Sequence, residues 1–206
     1  MEQVTKIKNL EKGISLVEII VVIFVVSLFS MILISDFPKI QRQFALSRVA
    51  YSLAQNIRRV EDLGLSGVRL ENSFKVEIPA RGYGVFVDSG TPGAANQYLI
   101  YADDGNQVYS SGAQSCDNTN PVPDCFIEAI DITKEDAGLY IKDIEADGIS
   151  ILGRSVSINF APPGPIVNIT DGINNYSDIK IILGIKSYDS TTRIVEANTS
   201  GMINVK

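Results

Sequence analysis

Residues Ile19 to Ile34 carry no charge and are interrupted only by Ser27 and Ser30, so this stretch has to be buried in a protein core or in a bilayer. Ile14 to Val17 extend it, giving a segment whose single charge is Glu18. At about 1.5 Å per residue a helix from Ile14 to Ile34 reaches roughly 30 Å, the hydrocarbon thickness of a bilayer. The segment therefore predicts a membrane-spanning helix over 14–35, near the start of a 206-residue chain. A carboxylate at membrane depth costs a few kcal/mol on insertion scales, and such groups are usually functional and partnered.

The flanks give an orientation. Lys6, Lys8 and Lys12 precede the segment, whereas Asp36, Lys39 and Arg42 follow it. The positive-inside bias places the N-terminus in the cytoplasm and the rest of the chain outside. Leu33-Ile34-Ser35-Asp36 offers no small-x-small site for a secretory peptidase, and the apolar run is longer than a signal peptide needs. An uncleaved signal anchor accounts for the lysines, the run and the orientation. It leaves Glu18 unexplained, unless that side chain snorkels to the headgroups.

A short basic leader, Gly13, then Ile14-Ser15-Leu16-Val17-Glu18 and the apolar run resemble the type III signal of type IV prepilins and type II secretion pseudopilins. Two positions depart from the family's usual pattern: Ile14 replaces the commoner phenylalanine, and no proline interrupts the run. The resemblance implies that a prepilin peptidase removes residues 1–13 by cutting between Gly13 and Ile14 and methylates the new amino group on Ile14. It further implies other pilin or pseudopilin subunits, an inner-membrane assembly platform and membrane lipid as partners. The new ammonium lies four residues from Glu18, which can neutralise it within one helix or across to a neighbour, because opposite charges attract strongly where the dielectric is low.

Beyond the run, Phe37, Ile40, Phe44, Val49, Leu53, Ile57 and Val60 recur mostly at three- and four-residue spacing. This predicts an amphipathic continuation of the helix over 36–64, its stripe turned to a folded head. Pro38 is a possible kink, and Gly64 and Gly67 place the helix end near Glu61 to Leu65. Arg42, Arg48, Arg58 and Arg59 read as a solvated outer face rather than a phosphate site.

From residue 65 to 206 the sequence turns to short β-rich segments. They are Phe74 to Ile78, Tyr83 to Val87, Tyr98 to Tyr101, Ser155 to Phe160, Ile166 to Thr170, Ile179 to Lys186, Thr192 to Ala197 and Met202 to Val205. Asp103-Asp104-Gly105-Asn106 signals a turn before Gln107-Val108-Tyr109, Pro162 to Pro165 force a loop, and Thr199-Ser200-Gly201 makes a final hairpin. The expected fold class is α+β, a long N-terminal helix with a mostly antiparallel β head. Gly82-Tyr83-Gly84-Val85, the stretch Tyr98 to Asn106, Ser157 to Gly164 and the terminal Arg193 to Val205 resemble the general secretion pathway protein H and FimT class of minor pilins and pseudopilins. Gln107 to Ile149 has no counterpart in that pattern and reads as a surface-exposed insertion.

Within that insertion Cys116 and Cys125 flank a polar, turn-rich loop. They read as a short disulfide, in keeping with an oxidising compartment outside the cytoplasm; two reduced thiols are the alternative. Asp117, Asn118, Asn120 and Asp124 supply oxygen atoms of the kind calcium takes, but their spacing follows no EF-hand. Asx residues beside prolines are ordinary turn content, so no metal or other cofactor is expected.

The chain has no histidine, which removes the commonest general base and metal ligand. Lys134-Glu135-Asp136 and Asp143 to Asp147 offer paired carboxylates, yet adjacency in sequence does not make the cleft a glycosidase needs. Tyr83, Tyr98, Tyr101 and Tyr109 fit core or cross-strand pairs better than a stacking platform. The expected protein is not an enzyme, and its net charge of −6 argues against nucleic acid as a partner. The reading is a membrane-anchored minor pilin or pseudopilin subunit that assembles through its N-terminal helix into a type IV pilus or secretion pseudopilus. The other class considered is an uncleaved single-pass protein whose extracytoplasmic head binds a ligand or partner without forming a fibre.

Overall fold

In the computed structural model the first element is a helix, α1, spanning Leu16–Ser66. The described residues are 14–67, 69–75, 77–78, 80–89, 96–110, 113–117, 124–151, 153–162, 166–186 and 188–206. Two compact units divide the chain, Met1–Gln41 and Arg42–Lys206. In the first unit every residue from Ile14 to Ile34 is exposed. The most apolar window of α1 has a mean hydropathy of 3.0 with none of it buried, so by length and composition this helix can cross a membrane.

In the second unit α1 buries a stripe made of Leu46, Val49, Ala50, Leu53, Ala54, Ile57 and Val60. Phe44, which the spacing had assigned to that stripe, is 67% exposed, and Phe37 and Ile40 of the first unit are exposed as well. The periodicity mixed two faces: at 3.6 residues per turn Phe44 lies nearly opposite Leu46 and Leu53. The helix runs slightly past the expected end. Gly64 sits inside its last turn, where an added Cβ would lie 2.5 Å from the Phe160 carbonyl oxygen, so glycine lets the helix approach the sheet. Gly67 then adopts a left-handed φ of 60°, the usual glycine stop.

The strands are β1 (Gly82–Asp88), β2 (Gln97–Asp103), β3 (Gln114–Ser115), β4 (Cys125–Asp131), β5 (Leu139–Ala146), β6 (Ile149–Ser150), β7 (Ser155–Ala161), β8 (Ile166–Thr170), β9 (Asn175–Tyr176), β10 (Asp178–Ile185), β11 (Tyr188–Asn198) and β12 (Ile203–Val205). They form a seven-stranded sheet ordered β3-β4-β2-β1-β7-β8-β9 and a five-stranded sheet ordered β12-β11-β10-β5-β6. All pairings are antiparallel except β3 with β4. One apolar cluster joins the stripe of α1 to inward residues of both sheets, among them Tyr83, Val85, Ile100, Ile158, Ile144, Ile181 and Val195. The protein is thus α+β, with a long apolar N-terminal helix and a mostly antiparallel head.

Two expectations about the head are corrected. Phe74 to Ile78 forms no strand: the described backbone there makes a single bridge, Glu71 to Glu77, with Lys75 at a positive φ of 59°. After the turn at Asp103 to Asn106 the backbone is held by side chains, Gln107 N–H donating to Asp103 and Tyr109 N–H to Ser157. The stretch from Gln107 to Ile149 is not a surface appendage. It contributes β4 to one sheet and β5 to the interior of the other, and Cys116, Cys125, Ile132, Leu139, Ile141 and Ile144 are buried in the core.

Candidate functional site

The N-terminal end of α1 brings together the features that set this chain apart. Ser15 precedes the helix and Glu18 is its third residue, the S-x-x-E spacing of a capping box. The first turn closes with Ile19 N–H donating to the Ser15 carbonyl. Further along, the Ser27 hydroxyl donates to the Ile23 carbonyl and the Ser30 hydroxyl to the Val26 carbonyl, each at 2.8 Å. Both serines thereby satisfy their donors inside the helix, which is what a lipid-facing or helix-facing hydroxyl requires. Glu18 finds no such solution among the described residues. Among the described residues no hydrogen bond or ion pair reaches its carboxylate, which leaves one strong acceptor on an otherwise apolar, exposed surface. Ile14, one helical turn away, is 72% exposed; Gly13 and the rest of the leader lie outside the described residues.

In the head Cys116 and Cys125 form a disulfide with Cα atoms 4.9 Å apart, both residues being buried. Asn118 and Asn120 lie outside the described residues. Asp117 and Asp124 serve different partners. Asp117 is bonded by the Ser73 hydroxyl and by the Ser73 backbone N–H, the latter at 2.9 Å, and the two bonds, the hydroxyl's first, lower its proton affinity. Asp124 turns inward and accepts from the backbone N–H groups of Asp104 and Ser110, each at 3.0 Å, and from the Ser110 hydroxyl.

Asp124 meets two residues that sequence reasoning treated only as a turn. Carboxylate atoms of Asp103, Asp104 and Asp124 lie within 4.8 Å of one another. Asp103 is completely buried, and its two oxygens accept from Gly105 and Gln107 N–H, each at 2.9 Å. Burial pushes its carboxyl up to about 6; the Gly105 and Gln107 N–H bonds oppose the rise, and the neighbouring carboxylates add to it. The Asp-Asp-Gly-Asn motif announces the local Asx turn, but nothing in it announces Asp124, which arrives from 20 residues further on. Every oxygen of Asp103 and Asp124 is engaged by protein donors, so the cluster is a knot that ties the end of β2 to the residue before Cys125.

The remaining charged candidates are structural. Arg42 pairs with Asp136 at 3.7 Å, Arg48 with Glu135 at 2.7 Å and Arg59 with Glu128 at 3.1 Å, while the Arg58 guanidinium donates to the Ile203 carbonyl at 3.0 Å. The arginines thus bridge α1 to the head instead of standing free in solvent. Asp143 accepts from Ile144 N–H and the Ser150 hydroxyl, Glu145 pairs with Lys180, and Asp147 receives the Ser177 and Asp178 N–H groups. Tyr83, Tyr98, Tyr101 and Tyr109 are buried, Tyr98 accepting from Asn56 at 2.7 Å and Tyr109 stacking near Phe86 and Tyr101. Comparison with protein-family models, with curated proteins and with solved structures finds no match for the chain.

Proposed function

We propose that this chain is a membrane-anchored, non-enzymatic subunit of the minor pilin or pseudopilin kind, cut between Gly13 and Ile14 and packed through its N-terminal helix into a pilus or pseudopilus. The observation that carries the reading is Glu18, a carboxylate without a described intrachain partner near the start of a helix whose apolar stretch to Ile34 is exposed throughout. Cleavage would create the missing cation one turn away, on Ile14 of the same or an adjacent subunit. A neighbour that docks out of register would leave the carboxylate uncompensated in apolar surroundings, and breaking such a pair costs about 3 to 5 kcal/mol. The other apolar residues of the segment supply contact area to lipid before assembly and to neighbouring helices after it. A buried disulfide in the head agrees with exposure outside the cytoplasm.

The test compares Glu18→Gln with Glu18→Ala. Glutamine keeps the hydrogen-bonding capacity of a capping box and removes the charge. Both variants are expected to insert in the membrane at normal levels and to be lost from sheared fibres. Normal incorporation of the glutamine variant would overturn the charge-pairing mechanism.

A further inference from the structure

We propose that Asn198 is a modification site, the acceptor of an N-linked oligosaccharide transferred from a polyprenyl pyrophosphate on the extracytoplasmic side of the membrane. The proposal rests on a head outside the cytoplasm, which the fibre reading and the single-pass anchor reading share. Three segments carry the Asn-x-Ser/Thr pattern of such acceptors: Asn168-Ile169-Thr170, Asn175-Tyr176-Ser177 and Asn198-Thr199-Ser200. The pattern arises often by chance, and the fold discriminates among its three instances. An acceptor has to present the amide nitrogen and the hydroxyl two residues on together, at a surface that can carry a bulky sugar.

In the first segment Thr170 is buried, and its hydroxyl donates to the Asn174 carbonyl at 2.8 Å and accepts from Gly172 N–H at 3.0 Å. The second lies at the surface but is pinned. Asn175 and Tyr176 pair as β9 with Thr170 and Ile169, the Tyr176 hydroxyl donates to Asp171, and Ser177 gives its N–H to Asp147 and its carbonyl to Thr199 N–H. The third is a turn. β11 ends at Asn198, Gly201 N–H donates to the Asn198 backbone carbonyl at 3.0 Å, and Thr199 and Ser200 are exposed. The Asn198 side-chain oxygen accepts from Ser200 N–H at 3.1 Å, from the Ser200 hydroxyl at 2.6 Å and from Met202 N–H at 3.0 Å. Backbone N–H groups can only donate, so the atom facing them is Oδ1, and Nδ2 is the atom turned away from them. Among the described residues no hydrogen bond reaches Nδ2. The amide is thus held in one orientation, its nitrogen free and the hydroxyl of the motif beside it. In the transfer Nδ2 attacks the anomeric carbon of the donor's first sugar and forms a C–N bond. The bond from that carbon to the pyrophosphate oxygen breaks, and one amide proton passes to a base on the transferase; nothing is oxidised or reduced.

The test is peptide mass spectrometry of the full chain extracted from the membranes of its own cells, with protease digestion of spheroplasts in parallel. The peptide that spans Asn198 is expected to carry one added oligosaccharide. Ser200→Ala leaves Asn198 and its bonds to two backbone N–H groups in place, so the head should still fold, and occupancy should drop at least tenfold. Ser200→Thr should restore occupancy, and Asn175→Gln in the neighbouring segment should leave it unchanged. A head that the protease digests but whose Asn198 is unmodified, or stays modified in Ser200→Ala, overturns the site alone. A head shielded from the protease overturns its placement outside the cytoplasm, and the site with it.

Discussion

Asp103 sits buried at the end of β2 beside a second buried carboxylate, and its affinity for a proton rises accordingly, to about 6 against an ordinary 3.8. The folded state then holds this proton more tightly than the unfolded chain. Stability at Asp103 is lost as pH rises through 6 and regained as pH falls toward 4. Asp171 behaves oppositely. Burial works against its charge, but N–H groups of Asn174 and Ile173, the Tyr176 hydroxyl and Arg154 together hold its carboxyl well below the usual range. Its contribution is present above its ordinary 3.8 and declines below that value. The head should therefore melt highest at about pH 4, and Asp103→Asn should flatten the fall between about pH 4 and 6; calorimetry across and on either side of that range checks both. Gly84 makes a second prediction at this scale. A Cβ there would lie 2.4 Å from the ring of Tyr101, whose hydroxyl accepts from Asn159 and whose ring meets Tyr109. Gly84→Ala should lower stability by about 1 to 3 kcal/mol, seen as a lower urea midpoint with unchanged slope.

Apart from β11, whose pairing with β10 slips between Tyr188 and Thr192, the strands that sequence reasoning found keep an unbroken register along their own chain. Ile179, Ile181, Leu183 and Ile185 of β10 are all buried in the period of two that their spacing predicts, and β1, β2, β7, β8 and β11 were placed to within a few residues. β4 and β5 were missed for an identifiable reason: each carries a bulge. In β4 the register slips at Ile127, between Glu128↔Ile100 and Phe126↔Tyr101. In β5 it slips at Lys142, between Asp143↔Ile182 and Ile141↔Leu183. One extra residue moves the following side chains to the opposite face, so the alternation visible in sequence is destroyed. The apolar helix and Glu18 were legible because membrane depth and helical spacing are local properties. The Asp103 and Asp124 knot was not, because it is a long-range contact between two loops. The disulfide clamps the same region, tying the start of β4 to the end of β3. Replacing Cys116 and Cys125 with serine should cost about 2 to 3 kcal/mol for a loop this short, measured by urea unfolding. An unchanged midpoint would mean that β4 is held by its pairing with β2 alone.

For the whole molecule, the long helix ties a self-contained head to a segment that has no core of its own. From Arg42 onward the chain buries apolar residues from the helix and both sheets. Before it the helix exposes all of them, which is stable only in lipid or against other helices. A generic anchor would meet that need with any apolar sequence; in the function proposed above, Glu18 is what separates a fibre subunit from an anchor. The charge-pairing account requires that its partner be a new amino terminus on Ile14. Intact-mass and N-terminal analysis of the chain, expressed with and without a prepilin peptidase, tests this most directly. The account predicts a chain that begins at N-methylated Ile14 only when the peptidase is present. A chain that keeps Met1 and its leader in the presence of an active peptidase would contradict it.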